Sequence, residues 1–176
     1  KQYPFLTLIK TPDLATEITL MPIDRFKMDA AILFSDILVI ADVIDCPYSI
    51  EEKKGPVFPN PLRTEDQINS LTPKPVNEAL GYVFKAIKQM KPELDNRQTP
   101  LIGFSGAPFT IAAYLIEGQM GKTPHQTKKM MYGQPQLLHT LLKTLADIII
   151  EYLNHQIALG VSGLQLRSEE HTSELQ

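Results

Sequence analysis

The chain has 176 residues, with 17 Lys and Arg against 20 Asp and Glu, and its formal net charge is −3. There is no basic excess to bind nucleic-acid phosphates, and no apolar run approaches the roughly 18 residues of a membrane span. Cys46 is the sole cysteine, which excludes an internal disulfide framework and favours a reducing, cytoplasmic setting. We therefore expect neither a nucleic-acid nor a membrane partner.

The first third of the chain predicts a helix, a buried strand and an irregular excursion. Thr, Pro and Asp at 11–13 are typical of a helix start, and a helix is predicted over 12–26, kinked or interrupted by Pro22. The run DAAILFSDILVI, 29–40, is almost continuously apolar, which predicts a strand buried on both faces. Residues 41–63 hold five Pro or Gly residues and read as irregular.

The rest of the chain alternates helices with short strands. Apolar spacing and turn residues predict the following elements: a helix over 77–91 ending near Pro92, a strand over 101–104, a helix from about Pro108, a helix start at 123–124, a helix from Pro135 to about Leu159 closed by Gly160, and a strand in VSGLQL, 161–166.

This alternation is typical of an α/β protein with a parallel sheet, either open or closed. Periodicity does not choose between an open doubly wound sheet and a (β/α)₈ barrel. A full barrel needs roughly 250 residues, and only three strands are predicted here. If the fold is a barrel, the chain holds at most about half of it.

Asp36 is the most informative polar residue, because it interrupts an apolar run that is predicted to be buried. A buried carboxylate must be paired, hydrogen-bonded or neutralised. Ligand sites of α/β proteins lie at the carboxyl ends of the strands, where a charged residue is a site candidate. An aspartate that only ties down a neighbouring loop is an equally good interpretation at this point.

A second candidate is the turn at 104–110, FSGAPFT, where small residues would let backbone N–H groups approach a ligand. It lacks the GxGxxG pattern and the lysine of a phosphate loop, so a tight turn without a ligand is favoured. Tyr114 follows on the next predicted helix, where a tyrosine more often belongs to the core. The histidines form no HExxH or Cys/His set, so no metal site is predicted.

The last ten residues, 167–176, read RSEEHTSELQ and contain one apolar residue. This decapeptide looks like the translation of a common short-read sequencing adapter. We predict that it is a non-native tail, and we exclude Glu169, Glu170 and His171 as an acid–base or metal cluster. The chain begins with Lys1 rather than Met, so we expect residues 1–166 to be a fragment of a single larger domain.

Several motifs, in order across about 1–166, carry a family resemblance: DAAILFSDILV, GPVFPNPLR, EALGYVFKAI, PLIGFSGAPFTIAAYLIEG and KKMMYGQPQLLH. Together they resemble the uroporphyrinogen decarboxylase family. The resemblance implies a TIM (β/α)₈ barrel, here partial, that acts as a homodimer in heme biosynthesis. It also implies removal of the four acetate carboxyls of uroporphyrinogen III to give coproporphyrinogen III, without metal or organic cofactor.

The resemblance also implies two site residues. Asp36 falls on the family aspartate that holds the pyrrole N–H groups of the substrate, and Tyr114 falls on a tyrosine that lines the substrate pocket. An Arg-rich motif, R-Q-A-G-R-Y, is expected upstream and does not occur in 1–166, while later Ser or Thr and His pocket residues are expected beyond Leu166. The loop 41–54 matches loosely, and the fragment alone is expected to be inactive.

Two other interpretations stay open from the sequence. Cobalamin-linked methyltransferases of the same superfamily share the barrel and use a zinc site from its later half. A non-catalytic tetrapyrrole-binding domain would keep a degenerate pocket. The FSDILV and GFSGAPFT details favour the decarboxylase. An upstream Arg motif would also favour it, and its absence would favour the other two.

Overall fold

A computed structural model describes residues 3–121 and 123–168 of the chain. The α-helices of this part are α1 (Phe5–Lys10), α2 (Pro12–Phe26), α3 (Glu65–Asn69), α4 (Val76–Ala79), α5 (Gly81–Asn96), α6 (Pro108–Glu117), α7 (His125–Gly133) and α8 (Pro135–Ala158). The strands are β1 (Ala31–Ile32), β2 (Ser49–Glu51), β3 (Gly55–Val57), β4 (Leu101–Gly106) and β5 (Gly163–Arg167), and a 3-10 helix spans Ile37–Ile44. None of the helices in the described part combines the length and the apolar character that crossing a bilayer requires.

Three of the strands form a parallel sheet in the order β1-β4-β5. Ala31 pairs with Leu101, and the β4–β5 register runs from Ile102 opposite Gly163 to Gly106 opposite Arg167. Parallel neighbours need long crossovers, which α5 provides between β1 and β4 and α6 to α8 provide between β4 and β5. Strands β2 and β3 form a separate antiparallel hairpin. The predicted α/β alternation is confirmed.

The apolar core lies between this sheet and its helices. α2 packs on β1 and α5, and α8 packs on β4 and α6. The long α8 buries one stripe along its length, and the central strand β4 is almost entirely buried. The buried side chains of that stripe include Leu138, Leu141, Leu145, Ile149 and Tyr152. The periodic spacing that predicted α8 is thus the spacing that builds the core.

The predicted strand over 29–40 is wrong for most of its length. Only Ala31–Ile32 is extended in the sheet, and Ile37–Ile44 is a 3-10 helix whose residues are mostly buried. A continuous apolar run does not distinguish a buried strand from a buried helix. The Asp36 side chain decides the outcome locally, because it accepts a hydrogen bond from the backbone N–H of Leu38 and caps the helix.

The other predicted elements are present, most of them with shifted ends. α2 spans the predicted residues, and Pro22 is exposed inside it without interrupting it, while Thr11 provides no side-chain cap. Gly160 has a φ of +83° just after α8, as its position predicted. The excursion 41–63 holds the end of the 3-10 helix and the β2–β3 hairpin, and α1 was not predicted.

Of the predicted tail, 167–176, the described part includes two residues. Arg167 is the last residue of β5, and its carbonyl oxygen accepts a hydrogen bond from the N–H of Ala107 at 2.8 Å. Glu169, Glu170 and His171 lie outside the described residues. The origin of the tail therefore stays a prediction.

Gly103 of β4 lies directly beside the Gln156 side chain of α8. A Cβ at this position would overlap Oε1 of Gln156 and lie 3.1 Å from the Leu164 side chain. Gln156 is fully buried, and its Nε2 donates to the Phe104 carbonyl oxygen at 3.2 Å, so its side chain is not free to move away. Glycine at 103 is therefore required by the packing of the sheet.

We predict that Gly103→Ala lowers the free energy of unfolding by about 2 kcal/mol or more, as overpacking of a core does. Gly81→Ala is the matched control, because no atom lies within 4 Å of its added Cβ, and it should change stability by less than about 1 kcal/mol. Urea denaturation of the two variants, in a full-length version of the protein, measures both. Equal effects at the two positions would contradict this packing argument.

Candidate active site

Asp36 lies four residues beyond β1, at the junction with the 3-10 helix. Its Oδ1 accepts from the Leu38 N–H at 3.1 Å, and its Oδ2 accepts from the Tyr48 hydroxyl at 2.8 Å. The residue is partly exposed rather than buried in a strand, which corrects the expectation from sequence. Both carboxylate oxygens are thus held by neutral donors while the group keeps contact with solvent.

The carboxyl end of β4 lies directly against the start of the 3-10 helix. A Cβ added to Gly106, the last residue of β4, would lie 3.1 Å from the carbonyl oxygen of Ile37. Because β1 and β4 are parallel, their carboxyl ends share one edge of the sheet. Asp36 therefore lies at the edge where α/β proteins bind their ligands, as the sequence predicted.

Tyr114 lies on α6, the helix that follows β4 and packs against the 3-10 helix. Its side chain is 8% exposed. The turn before α6 is formed by small residues, as expected, and Ala107 N–H there bonds to the carbonyl of β5 rather than facing open space. The structure thus places the two predicted site residues on neighbouring, packed elements.

Tyr48 is a site residue that the sequence reasoning missed. It precedes the β2–β3 hairpin, is 8% exposed, and stacks on Phe58 with ring centroids 5.2 Å apart. Burial, followed by the charge of Asp36 and the hydrogen bond to it, raises the pKa of Tyr48 well above its ordinary value. The phenol therefore stays protonated and acts as a donor to the carboxylate.

The charge of Asp36 is not balanced by a cation within the described residues, since none of their ion pairs includes it. Asp42, on the same 3-10 helix, provides the contrast. Its carboxylate accepts from the Tyr82 hydroxyl at 2.9 Å and also pairs with Lys10 at 2.7 Å. Of these two carboxylates, Asp36 is the one available to a positively polarised ligand.

The described residues contain no group of side chains that could bind a metal ion. Within residues 3–121 and 123–168, no three His, Cys, Asp or Glu side chains cluster closely enough to hold a metal ion. The Asp36 carboxylate accepts one hydrogen bond from a hydroxyl and one from a backbone N–H. This arrangement is suited to an electrostatic role for the carboxylate or to binding of N–H groups.

The segment after β3 fastens the site to the carboxyl end of α6. Phe58 N–H donates to the Gly118 carbonyl at 2.6 Å, and Leu62 N–H donates to that of Leu115 at 2.8 Å. The Arg63 guanidinium donates to the carbonyl oxygens of Ile116 and Glu117 at 3.0 and 2.9 Å. These donors satisfy the carbonyls that a helix end leaves unpaired, which gives the motif GPVFPNPLR a structural reason.

A comparison with solved structures defines the class of fold. A methyltransferase from Methanosarcina mazei superposes with a TM-score of 0.68 at 18% sequence identity, covering 93% of this chain and 47% of that one. At this identity the likeness concerns the fold alone. The predicted class, an α/β fold that forms part of a TIM (β/α)₈ barrel with about half of its strands, is confirmed.

The sequence comparisons then define the family. The model of the uroporphyrinogen decarboxylase (URO-D) family matches residues 1–175. The uroporphyrinogen decarboxylase of Hahella chejuensis is 46% identical over 162 residues, 92% of this chain and 45% of that protein, and that of Ruthia magnifica is 48% identical over 162 residues, 92% and 46%. The protein of the same name from Christiangramia forsetii is 44% identical over 166 residues, 94% and 48%.

The chain belongs to the uroporphyrinogen decarboxylase family, and the predicted resemblance is confirmed. It spans about half the length of the curated relatives it matches. The roles of Asp36 and Tyr114 stay predictions, because they rest on motif positions and on the geometry described above.

We predict that Arg63→Met lowers the free energy of unfolding by about 1–2 kcal/mol, because two charge-assisted hydrogen bonds to the end of α6 are lost. Arg25→Met is the control, since Arg25 is exposed and its side chain makes no hydrogen bond with other described residues. Urea denaturation in a full-length version should separate the two variants. A loss at position 63 no greater than at position 25 would show that this clamp does not stabilise the protein.

Proposed function

We propose that this chain is part of a uroporphyrinogen decarboxylase, a carboxy-lyase of heme and porphyrin biosynthesis. Its substrate would be uroporphyrinogen III, and its product, after loss of the four acetate carboxyls, coproporphyrinogen III. The observation that carries the proposal is identity of 44–48% with decarboxylases over more than nine-tenths of the chain. The site at the carboxyl edge of the sheet is consistent with it.

Asp36 is the group to which we assign the chemistry. A proton added to a pyrrole α-carbon turns the ring into an electron sink, so that the bond between the methylene carbon and the carboxylate of the substrate's acetate group breaks and CO₂ leaves. The methylene carbon then takes a proton and becomes a methyl group. The α-carbon finally loses the proton that it gained in the first step. Positive charge develops on the pyrrole during this sequence, and a carboxylate that is already oriented stabilises it by about 3–4 kcal/mol.

The geometry of Asp36 supports this assignment in two ways. Each oxygen accepts one hydrogen bond from the protein, which leaves further lone-pair directions for pyrrole N–H donors. No cation of the described residues competes for the charge. Tyr114, on α6, would line the pocket beside it. No step in this scheme requires a metal or an organic cofactor.

Two finer statements belong to the same proposal. We expect a homodimer, as the family resemblance implies, and a cytoplasmic location, which the single cysteine favours. The methyltransferase alternative is supported only by a shared fold at 18% identity, and the non-catalytic alternative has no separate support. An Arg-rich motif upstream of Lys1 would favour the decarboxylase over both.

We predict that Asp36→Asn, in a full-length version, keeps the fold and lowers turnover about 100- to 1,000-fold, because a neutral amide does not stabilise the developing charge. Conversion of uroporphyrinogen III to coproporphyrinogen III measures turnover, and circular dichroism checks folding. Asp42→Asn is the matched control, because Asp42 also accepts from a tyrosine hydroxyl. Near-normal turnover of Asp36→Asn would overturn the assignment.

We also predict that the 176-residue chain alone is inactive and self-associates. Within the described residues β1 and β5 are unpaired edges, and apolar side chains are exposed beside them, with Ile32 at 63% and Leu166 at 56%. Light scattering after gel filtration and a thermal melt test this expectation. A soluble monomer with a cooperative melt would contradict it.

A further inference from the structure

We propose that Tyr48 is a positioning residue of the decarboxylation site, which holds the Asp36 carboxylate in its working orientation. The inference rests on the proposed function and adds a residue that acts through Asp36 rather than on the substrate. It is carried by the 2.8 Å hydrogen bond from the Tyr48 hydroxyl to Oδ2 of Asp36. Oδ1 is held at the same time by the Leu38 N–H.

The two hydrogen bonds together fix the plane of the carboxylate. One donor belongs to the backbone of the 3-10 helix that Asp36 itself caps, and it restrains Oδ1. The other comes from a side chain 12 residues further along the chain and restrains Oδ2. Without the phenol, the carboxylate can rotate about the bond to Cβ, and part of the preorganisation that makes a fixed charge effective is lost.

Tyr48 itself is held firmly enough to orient another group. Its ring is almost fully buried and lies on Phe58, with the ring planes 29° apart. Phe58 is bonded in turn to the end of α6 through its N–H and the Gly118 carbonyl. A Cβ at Gly118, where φ is +81°, would lie 3.2 Å from the Phe58 carbonyl oxygen. The backbones of Phe58 and Gly118 are therefore packed closely together.

The chain contains a matched comparison for this bond. Tyr82 donates its hydroxyl to Oδ2 of Asp42 at 2.9 Å, on the same 3-10 helix. The two tyrosines therefore make chemically equivalent bonds. Asp42 is paired with Lys10 and has no part in the proposed chemistry. Replacement of either tyrosine by Phe removes one hydroxyl and keeps the ring.

The test compares Tyr48→Phe, Tyr82→Phe, Asp36→Asn and the double variant Asp36→Asn with Tyr48→Phe in a full-length version. We expect Tyr48→Phe to lower kcat about 10-fold, equivalent to about 1.4 kcal/mol, with KM changed less than about 2-fold. Tyr82→Phe should leave kcat unchanged. The double variant should turn over no more slowly than Asp36→Asn, since Tyr48 acts through Asp36.

The outcomes separate this inference from the proposed function. The positioning role is overturned if kcat per folded molecule is the same for Tyr48→Phe and Tyr82→Phe. It is also overturned if Tyr48→Phe lowers turnover by the same factor in the Asp36→Asn variant as in the wild-type protein. Rates are measured below the melting temperature and expressed per folded molecule. If this normalisation removes the whole loss of activity in Tyr48→Phe, the loss was due to unfolding and the positioning role is overturned. Near-normal turnover of Asp36→Asn would instead overturn the role of Asp36 in the proposed function.

Discussion

The hydrogen bond from the Leu38 N–H to the Asp36 side chain determines how the site is built. It ends the extended path that leaves β1 and begins a 3-10 helix, so an apolar run turns across the edge of the sheet instead of continuing through it. The same carboxylate that caps the helix faces partly toward solvent. The structure therefore shows the structural role of Asp36, which the sequence offered as one of two interpretations, and the proposed chemical role falls on the same side chain.

The surroundings of Asp36 depend on the carboxyl end of α6. Its last carbonyls accept hydrogen bonds from the segment that follows the β2–β3 hairpin, including both from the Arg63 guanidinium. That segment carries Phe58, on which Tyr48 stacks. Gly106, at the start of the crossover that contains α6, gives room for the Ile37 backbone. The hairpin thus meets β4 and α6 at one place, although it lies far from both of them in the chain.

The comparisons illustrate why the fold alone does not define the chemistry. A similar arrangement of strands and helices occurs in part of a methyltransferase, at 18% sequence identity with this chain. Function depends on side chains at the carboxyl edge of the sheet. There this chain places a carboxylate with two neutral donors and no cation partner among the described residues, an arrangement suited to a ligand rich in N–H groups.

The sequence by itself determined the order of the longer helices and of the three sheet strands, the family, and Asp36 and Tyr114 as candidates. These follow from apolar spacing and from motifs, which are local properties of the chain. Only the tertiary structure decided that most of 29–40 is not a strand, since a buried run fits either conformation. It also decided the partners of Asp36 and Arg63, because Tyr48 is 12 residues from Asp36 and the Ile116 carbonyl is 53 from Arg63. Hydrogen bonds over such separations depend on how the helices and strands pack, and the spacing of residues in the sequence does not predict that packing.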